Sequence, residues 1–450
     1  MKTRHLLILS ILLICSHASF SQNRQLTLDS CLLLAKQNNA DICISRLDIE
    51  KARAVKAQVF TKFFPQVSAS FMAYHAYNPI IKITPEDIQN TELRESILEA
   101  IEDLDIPNDV TEINLMERGL SLGANVVQPI FVGGRIVNGN RLANLGIEAS
   151  ELQAEATQRD ILEDIESTFL LVTGLESKVN TVESALYLLD SLHQTIEIAM
   201  QAGVITSNDL IRVELKQNEI RASQLQLSNG IVLAKRLLCQ QIGIPYNENI
   251  ELVPELVTDN DIPITISKSS RPEHRLLELN IDAQKLRKRM TIGEALPQII
   301  LGGMGNHGNL IKNYKYNTNG LLFVTANVPL SQWWETSHKI KEHNISIRQA
   351  EIMRDDLNEK MKLQEQQAYN QMVEASALIA TDKKALEMAM ENYRLAELNY
   401  KAGTVTLTDV LEANTLLLQA ENTLTDRQIT FATARRRYKD LTNSSTDNKD

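Results

Sequence analysis

Two carboxylates near the C-terminus have a spacing that could serve electrostatic chemistry. Asp409 and Glu412 lie three residues apart, and side chains at that spacing share one face of a helix. Such a pair attracts cations and repels other acidic groups. Asp209 lies two hundred positions before Asp409 in a similar stretch of sequence. Because acidic residues near a helix start are also favoured by the helix dipole, a purely structural role for Asp209 and Asp409 stays open.

Other residues that could do chemistry lack the partners that they would need. The stretch 303–308 matches the dinucleotide-binding pattern G-x-G-x-x-G, but an Asn-rich segment follows where a helix should begin. The histidines form no H-x-x-x-H pair, and no Ser/His/Asp or Cys/His set stands out. We therefore predict no enzyme activity, no cofactor and no metal. The net charge of −11 is spread along the chain, which argues against a nucleic-acid partner.

The acidic residues follow glycines that interrupt long helical stretches. Between Pro329 and the C-terminus, Gly403 is the only glycine and there is no further proline, so a turn between two helices is predicted there. Gly203 occupies the same place in a related stretch two hundred residues earlier, and Pro129 precedes Pro329 by the same interval. These recurrences predict an internal duplication.

The predicted domain organisation follows from that duplication. Each half is expected to contain a helix, two strands and two long antiparallel helices. The first repeat covers residues 22–245 and the second covers 271–441, with a Pro- and Asp-rich linker at 246–270. In the first repeat, one continuous helix is expected from Leu26 to Phe64.

The ends of the chain are predicted to lie outside the fold. Residues 1–21 have the charged, apolar and small-residue regions of a secretory signal peptide. Lipidation at Cys15 is a minor alternative, because larger residues precede that cysteine. Residues 442–450 are expected to form a disordered tail.

The predicted strands alternate apolar and small or polar residues. In the first strand, Val67, Ala69 and Phe71 lie on one side, and Pro129 is expected to end the second strand. Each strand suits the 9–11 residues that cross an outer membrane, and Trp333 and Trp334 suit its aromatic interface. Four strands are too few for a closed barrel, so several copies would share one. A soluble sandwich with both tryptophans in its core is the alternative.

The ordered set of motifs resembles the TolC-like outer membrane factors of efflux pumps and type I secretion systems. It comprises two Pro-Gln strand entries, the QPIFVGGR stretch that ends at Arg135, and the YKAG stretch that ends at Gly403. The resemblance covers nearly all of the mature chain. It implies a homotrimer with a twelve-stranded barrel in outer membrane lipid and a periplasmic tunnel of twelve helices. The tips at Gly203 and Gly403 would form its closed periplasmic end.

The resemblance also implies roles for residues at the tips. Tyr400 and Asp209 resemble the inter-helix hydrogen-bonding pair of the family, and Asp409 and Glu412 resemble the acidic ring at its constriction. The family pattern has an arginine that links the two hairpins where this chain has Val405. How the tip stays shut is therefore left open by the sequence.

The sequence thus predicts a mainly α fold with a membrane β-barrel contribution: long antiparallel coiled-coil helices and four transmembrane strands per chain. The implied function is a passive exit duct that pairs with a periplasmic adaptor and an inner-membrane transporter. The alternative is a periplasmic coiled-coil adaptor or structural protein. Such an adaptor has one long helical hairpin rather than two.

Overall fold

The computed structural model describes residues 24–78, 81–83, 91–92, 94–96, 99, 113–115, 118–203, 205–254, 271–308 and 317–442. The predicted signal peptide lies outside these ranges. So does the predicted tail, except for Thr442, which ends the last helix.

The main α-helices and the strands of the described residues are as follows. The helices are α1 (Leu28–Asn38), α2 (Ala40–Phe60), α3 (Arg135–Gln201), α4 (Ser207–Gln241), α5 (Pro272–Glu294), α6 (Gln332–Lys401) and α7 (Leu407–Thr442). The strands are β1 (Arg24–Leu26), β2 (Gln66–His75), β3 (Ile81–Ile83), β4 (Ile113–Leu115), β5 (Arg118–Val132), β6 (Ile250–Leu252), β7 (Gln298–Gly308) and β8 (Asn317–Asn327).

The element order is similar in the two halves of the chain. In the first half, α2 leads to β2 and β5, and then to the long helices α3 and α4. In the second half, α5 leads to β7 and β8, and then to α6 and α7. The paired helices have similar lengths, 67 and 70 residues for α3 and α6, and 35 and 36 residues for α4 and α7.

The described residues form two compact units. A helical unit takes its residues from 1–50, 149–278 and 353–450. Three clusters of buried apolar side chains hold it together, one of them formed by α6 and α7 around Met372 and Phe431. A sheet unit takes its residues from 51–148 and 279–352.

The sheet unit contains a four-stranded antiparallel sheet in the order β2-β5-β7-β8. Each of its strands overlaps one of the four stretches of alternating sequence, and β5, β7 and β8 extend beyond the alternating residues. In the register, Val67 lies opposite Val126, Val126 opposite Gly303, and Gly303 opposite Leu322. β2 and β8 are the edges of this sheet among the described strands. Each edge strand therefore has one side without a partner among the residues that the structure describes.

The two faces of this sheet differ in polarity. One face carries Val67, Phe71, Leu122, Leu322 and Val324, which are exposed in the single chain. The opposite face carries polar side chains beside several apolar ones. They include Ser70, Ser121, Asn125, Asn306 and Asn319, and Ser121 Oγ donates a hydrogen bond to Asn306 Oδ1 at 2.8 Å.

Three sequence expectations need correction. The predicted helix from Leu26 to Phe64 is two helices, because Asn39 interrupts it. Asn39 Oδ1 accepts hydrogen bonds from the backbone N–H groups of Asp41 and Ile42, which caps α2. The chain also has more than four strands. The short strand β1 pairs in parallel with β6, which lies inside the predicted linker.

The strand that was expected to end at Pro129 continues to Val132. Its pairing with β2 stops at Val127, so Pro129 has a neighbouring strand only on the β7 side. A register shift occurs between Pro129 and Phe131. A proline is tolerated at such a place, because its missing N–H is not needed on the unpaired side or at a bulge.

Among the described helices, none is both long and apolar enough to span a membrane.

Candidate functional site: the tips of the helical hairpins

Each long hairpin turns through a glycine with positive φ. At the second tip, Gly403 has φ +72°, and its N–H donates to the Tyr400 carbonyl at 2.9 Å. The next N–H, of Thr404, donates to the Asn399 carbonyl at 2.9 Å. This pair of bonds is a Schellman motif, in which glycine adopts the left-handed conformation at little cost. Gly203 has φ +74°, and its N–H donates to the Met200 carbonyl at 2.9 Å.

Asp409 caps the helix that follows the second tip. The backbone N–H and the hydroxyl of Thr406 both donate to Asp409 Oδ2 at 2.7 Å. The Asp409 N–H is directed in return at Thr406 Oγ1, at 3.4 Å. This reciprocal arrangement is a capping box. The hydrogen bonds from Thr406 hold the pKa of the Asp409 carboxyl below its usual value, so Asp409 remains charged near neutral pH.

The structure brings two of the sequence-predicted tip residues within electrostatic reach of each other. Partial burial raises the pKa of the Tyr400 hydroxyl, and the charge of Asp209 raises it further. No hydrogen bond joins these two side chains in the described part of the chain. Tyr400 is therefore a neutral hydroxyl that lies near a carboxylate.

Glu412 lies one turn after Asp409 on α7, and both side chains are exposed. They share a helix face, as their spacing predicted. Asp209 lies in the first turn of α4 and is half-buried. The structure therefore places one pair, Asp409 and Glu412, on an open surface and the other, Asp209 and Tyr400, between helices.

A shared apolar cluster packs the two tips against each other. It contains Ile196 of α3, Val213 of α4, Tyr393 of α6 and Val410 of α7, all buried. Burial raises the pKa of Tyr393 to about 12. The four long helices are thus joined near their tips within one chain.

A cross-hairpin hydrogen bond was not predicted from the sequence. Arg212 Nη1 of α4 donates to Thr408 Oγ1 of α7 at 2.7 Å. One feature of the sequence could have indicated this bond. Arg212 occupies the position in the first repeat that Glu412 occupies in the second, so a basic residue replaces an acidic one there. Arg212 connects the hairpins although Val405 replaces the arginine of the family pattern.

Removal of this link should loosen the tips. Arg212→Ala deletes one exposed hydrogen bond, and the expected loss is about 1 kcal/mol. Backbone amides close to both tips should exchange faster with deuterium. Arg221→Ala, on the same helix and also exposed, should leave exchange at the tips unchanged. Equal exchange rates in the two variants would refute a linking role for Arg212.

The predicted interface tryptophans are exposed at the start of α6. Trp333 Nε1 donates to the Ala295 carbonyl at 2.9 Å, which fixes its ring beside the end of α5. Trp334 is 75% exposed. Neither ring is in the core of a soluble sandwich within the sheet unit.

Among the described residues, no group of three or more acidic, histidine or cysteine side chains could hold a metal ion.

The fold defined by these elements is that of TolC-like outer membrane channels. The chain is similar to the solved structure of CusC, a transmembrane channel, with a TM-score of 0.78, 14% identity, and coverage of 95% of this chain and 96% of that chain. It is also similar to the MtrE outer membrane channel of Neisseria gonorrhoeae in its open state, with a TM-score of 0.73, 15% identity, and coverage of 92% and 88%. A third similar structure is the CmeC outer membrane channel of Campylobacter jejuni, with a TM-score of 0.72, 15% identity, and coverage of 93% and 85%.

These likenesses confirm, at the level of the fold, the family resemblance that the sequence motifs indicated. No family sequence model matches the chain, and no curated protein matches it in sequence. At 14–15% identity, the likeness to these solved structures is one of fold.

Proposed function

We propose that this protein is a trimeric outer membrane exit duct of an efflux pump or a type I secretion system. Substrates would pass through it passively, from a periplasmic adaptor and an inner-membrane transporter to the outside. The similar solved structures of CusC, MtrE and CmeC are channels, and MtrE is similar in its open state.

One observation carries this proposal: a four-stranded sheet with one apolar face that the chain itself leaves exposed. Leu322 is 84% exposed and Phe71 is 69% exposed. An apolar sheet face of this kind needs a cover. The edges of β2 and β8 have no partner among the described strands, which favours pairing with other chains. Pairing of β8 of one copy with β2 of the next would close a twelve-stranded barrel from three copies. The apolar face would then contact lipid and the polar face would line the lumen.

The two helical hairpins favour the duct over a periplasmic adaptor. An adaptor is expected to have one long hairpin, whereas the structure has turns at both Gly203 and Gly403. In the trimer, these tips would form the periplasmic end of the tunnel, where adaptor contacts are expected in the grooves between helix pairs.

Membrane fractionation and conductance together test the proposed function. We expect the exported protein in the outer membrane as a heat-modifiable trimer that conducts ions in planar bilayers. Recovery as a soluble or inner-membrane-bound monomer would support the adaptor instead.

The acidic face at the tips should control cation access to the closed duct. In Asp409→Asn with Glu412→Gln, the asparagine can still accept hydrogen bonds from Thr406 while the charges are lost. Because clustered charge of one sign raises the local counter-ion concentration, block of conductance by a trivalent cation should weaken by about tenfold or more.

The control for this experiment removes the same number of charges elsewhere on the long helices. Glu374→Gln with Glu387→Gln neutralises two exposed carboxylates of α6 and should leave cation block unchanged. Unchanged block in the Asp409 and Glu412 variant would remove the acidic-ring assignment.

A further inference from the structure

A positively charged cleft lies in the sheet unit between α3 and α5. Arg141, Lys285 and Arg289 line it, and Asp282 is the acidic residue among them. The cleft has a volume of about 390 Å³. Lys285 Nζ pairs with Asp282 Oδ1 at 3.4 Å. Among the described residues, neither Arg141 nor Arg289 has a hydrogen-bond or ion-pair partner.

This excess of positive charge contrasts with the net charge of −11 of the whole chain. Two guanidinium groups that share a cleft repel each other unless an anion or solvent screens them. A guanidinium presents donors in a planar fork, which matches phosphate and carboxylate oxygens. The chemistry of the cleft therefore fits an anionic group.

The two arginines lie close to the ends of the strands. α3 begins at Arg135, shortly after β5 ends, and Arg141 is six residues into that helix. α5 ends at Glu294, shortly before β7 begins, and Arg289 is five residues before that end. With a rise of about 1.5 Å per residue, both lie on the order of 10 Å along their helices from the helix ends that adjoin the strands.

Exposed apolar side chains lie between the strands and the two arginines, together with the charged Arg135 and Glu294 at the helix ends. Val137 lies one turn nearer the strands than Arg141 on the same face of α3, and it is 44% exposed. Ile292 and Leu296 lie nearer the strands than Arg289, and they are 37% and 39% exposed. At the boundary of a bilayer, a polar layer of about 5–7 Å follows the hydrocarbon core, so apolar and charged side chains lie close together there. Arginine side chains can extend to such a layer while their stems contact apolar surface.

We propose that this cleft binds the headgroup phosphate of an anionic phospholipid in the leaflet that faces the periplasm. Arg141 and Arg289 bind the phosphate oxygens, and the exposed Val137, Ile292 and Leu296 contact the adjoining acyl region. This proposal rests on the proposed insertion of the sheet in a membrane. A free phosphate ion would gain nothing from the apolar residues beside the cleft, so the observations favour a lipid.

Retention of lipid by the assembled protein tests the proposal. The full mature chain is reconstituted in bilayers that contain equal amounts of phosphatidylglycerol and phosphatidylcholine. It is then extracted with mild detergent, and retained lipids are counted by native mass spectrometry. The wild-type protein should retain phosphatidylglycerol in preference to phosphatidylcholine. In Arg141→Gln with Arg289→Gln, phosphatidylglycerol retention should fall roughly 20- to 30-fold, as expected for two basic side chains at an anionic surface.

A matched control removes two exposed basic side chains from the helical unit. Arg221→Gln with Lys384→Gln should retain phosphatidylglycerol as the wild type does. Addition of inorganic phosphate before extraction distinguishes the two sources of phosphate, because it should not displace the lipid. Displacement by millimolar phosphate would contradict a lipid site.

Two further outcomes would overturn the lipid site without affecting the proposed function. One is equal phosphatidylglycerol retention in the wild type and in the Arg141 and Arg289 variant, with both inserted and conducting. The other is dissociation of the trimer in that variant with its lipid content unchanged, which would assign the arginines to carboxylates of a neighbouring copy. Failure of the wild-type chain to insert and conduct would instead contradict the proposed function.

Discussion

Leu322→Lys should prevent accumulation of the assembled protein in the outer membrane. Leu322 lies at the middle of β8 on the apolar face of the sheet and is 84% exposed in the single chain. In the proposed barrel this face meets lipid, where a lysine at the bilayer midplane costs about 2–4 kcal/mol. Because each copy would carry the substitution, the cost recurs three times in one trimer. The fraction of heat-modifiable trimer in outer membrane preparations measures the effect.

Asn319→Lys provides the control on the same strand. Asn319 lies an odd number of residues from Leu322, so its side chain is on the opposite, more polar face. In the proposed trimer this face lines the aqueous lumen, and the lysine should be tolerated there. Equal trimer yields from Leu322→Lys and Asn319→Lys would show that the apolar face does not contact lipid.

Gly133→Ala should strongly destabilise the sheet unit. Gly133 has φ +65°, and a Cβ atom added to it would lie 2.0 Å from the carbonyl oxygen of Gly293. The contact is with backbone, so no flexible side chain can move aside. The left-handed conformation and the overlap together should cost roughly 2–5 kcal/mol. Urea unfolding of the detergent-extracted protein measures the loss.

Two other glycines separate the causes of that loss. Gly134 has φ +72°, but its added Cβ would come no nearer than 3.7 Å to another atom, so Gly134→Ala should cost only about 1–2 kcal/mol. An added Cβ at Gly146, inside α3, would meet nothing within 4 Å. Gly146→Ala should therefore be neutral or stabilising by about 0.5–1 kcal/mol. A loss at Gly133 no larger than at Gly134 would contradict the close backbone contact.

The main sheet and the helical hairpins could be predicted because their signals are local. Residues 66–71 alternate polar and apolar side chains, and all of them lie in β2. Gly403 is predicted as a turn because no other glycine or proline interrupts the second hairpin. Both signals can be read from a few neighbouring residues.

The missed features depend on residues that are distant in the sequence. The Asn39 side chain ends one helix and caps the next, and Asn39 Nδ2 also donates to the Gln241 carbonyl at 2.7 Å. The apolar spacing continues past Asn39, so periodicity alone gives no break. A three-residue strand such as β1 has no measurable alternation, and its partner β6 lies more than two hundred residues away.

The candidate site was predicted in part. The helical spacing of Asp409 and Glu412 placed them on one face, and the structure agrees. The capping box follows a local pattern, in which Thr406 lies three residues before Asp409 at the start of α7. The Arg212–Thr408 hydrogen bond crosses between hairpins, so only the packing of α4 against α7 brings its partners together.

Amide hydrogen exchange of the two edge strands tests the central claim most directly. About half of the N–H groups of β2 and β8 point away from their partner within the chain. If three copies share one closed barrel, these outward amides should exchange as slowly as the inward amides of the same strands. If outward amides of β2 and β8 exchange at the rate of unpaired backbone in the membrane-extracted protein, the sheet does not pair between copies and the shared barrel is wrong.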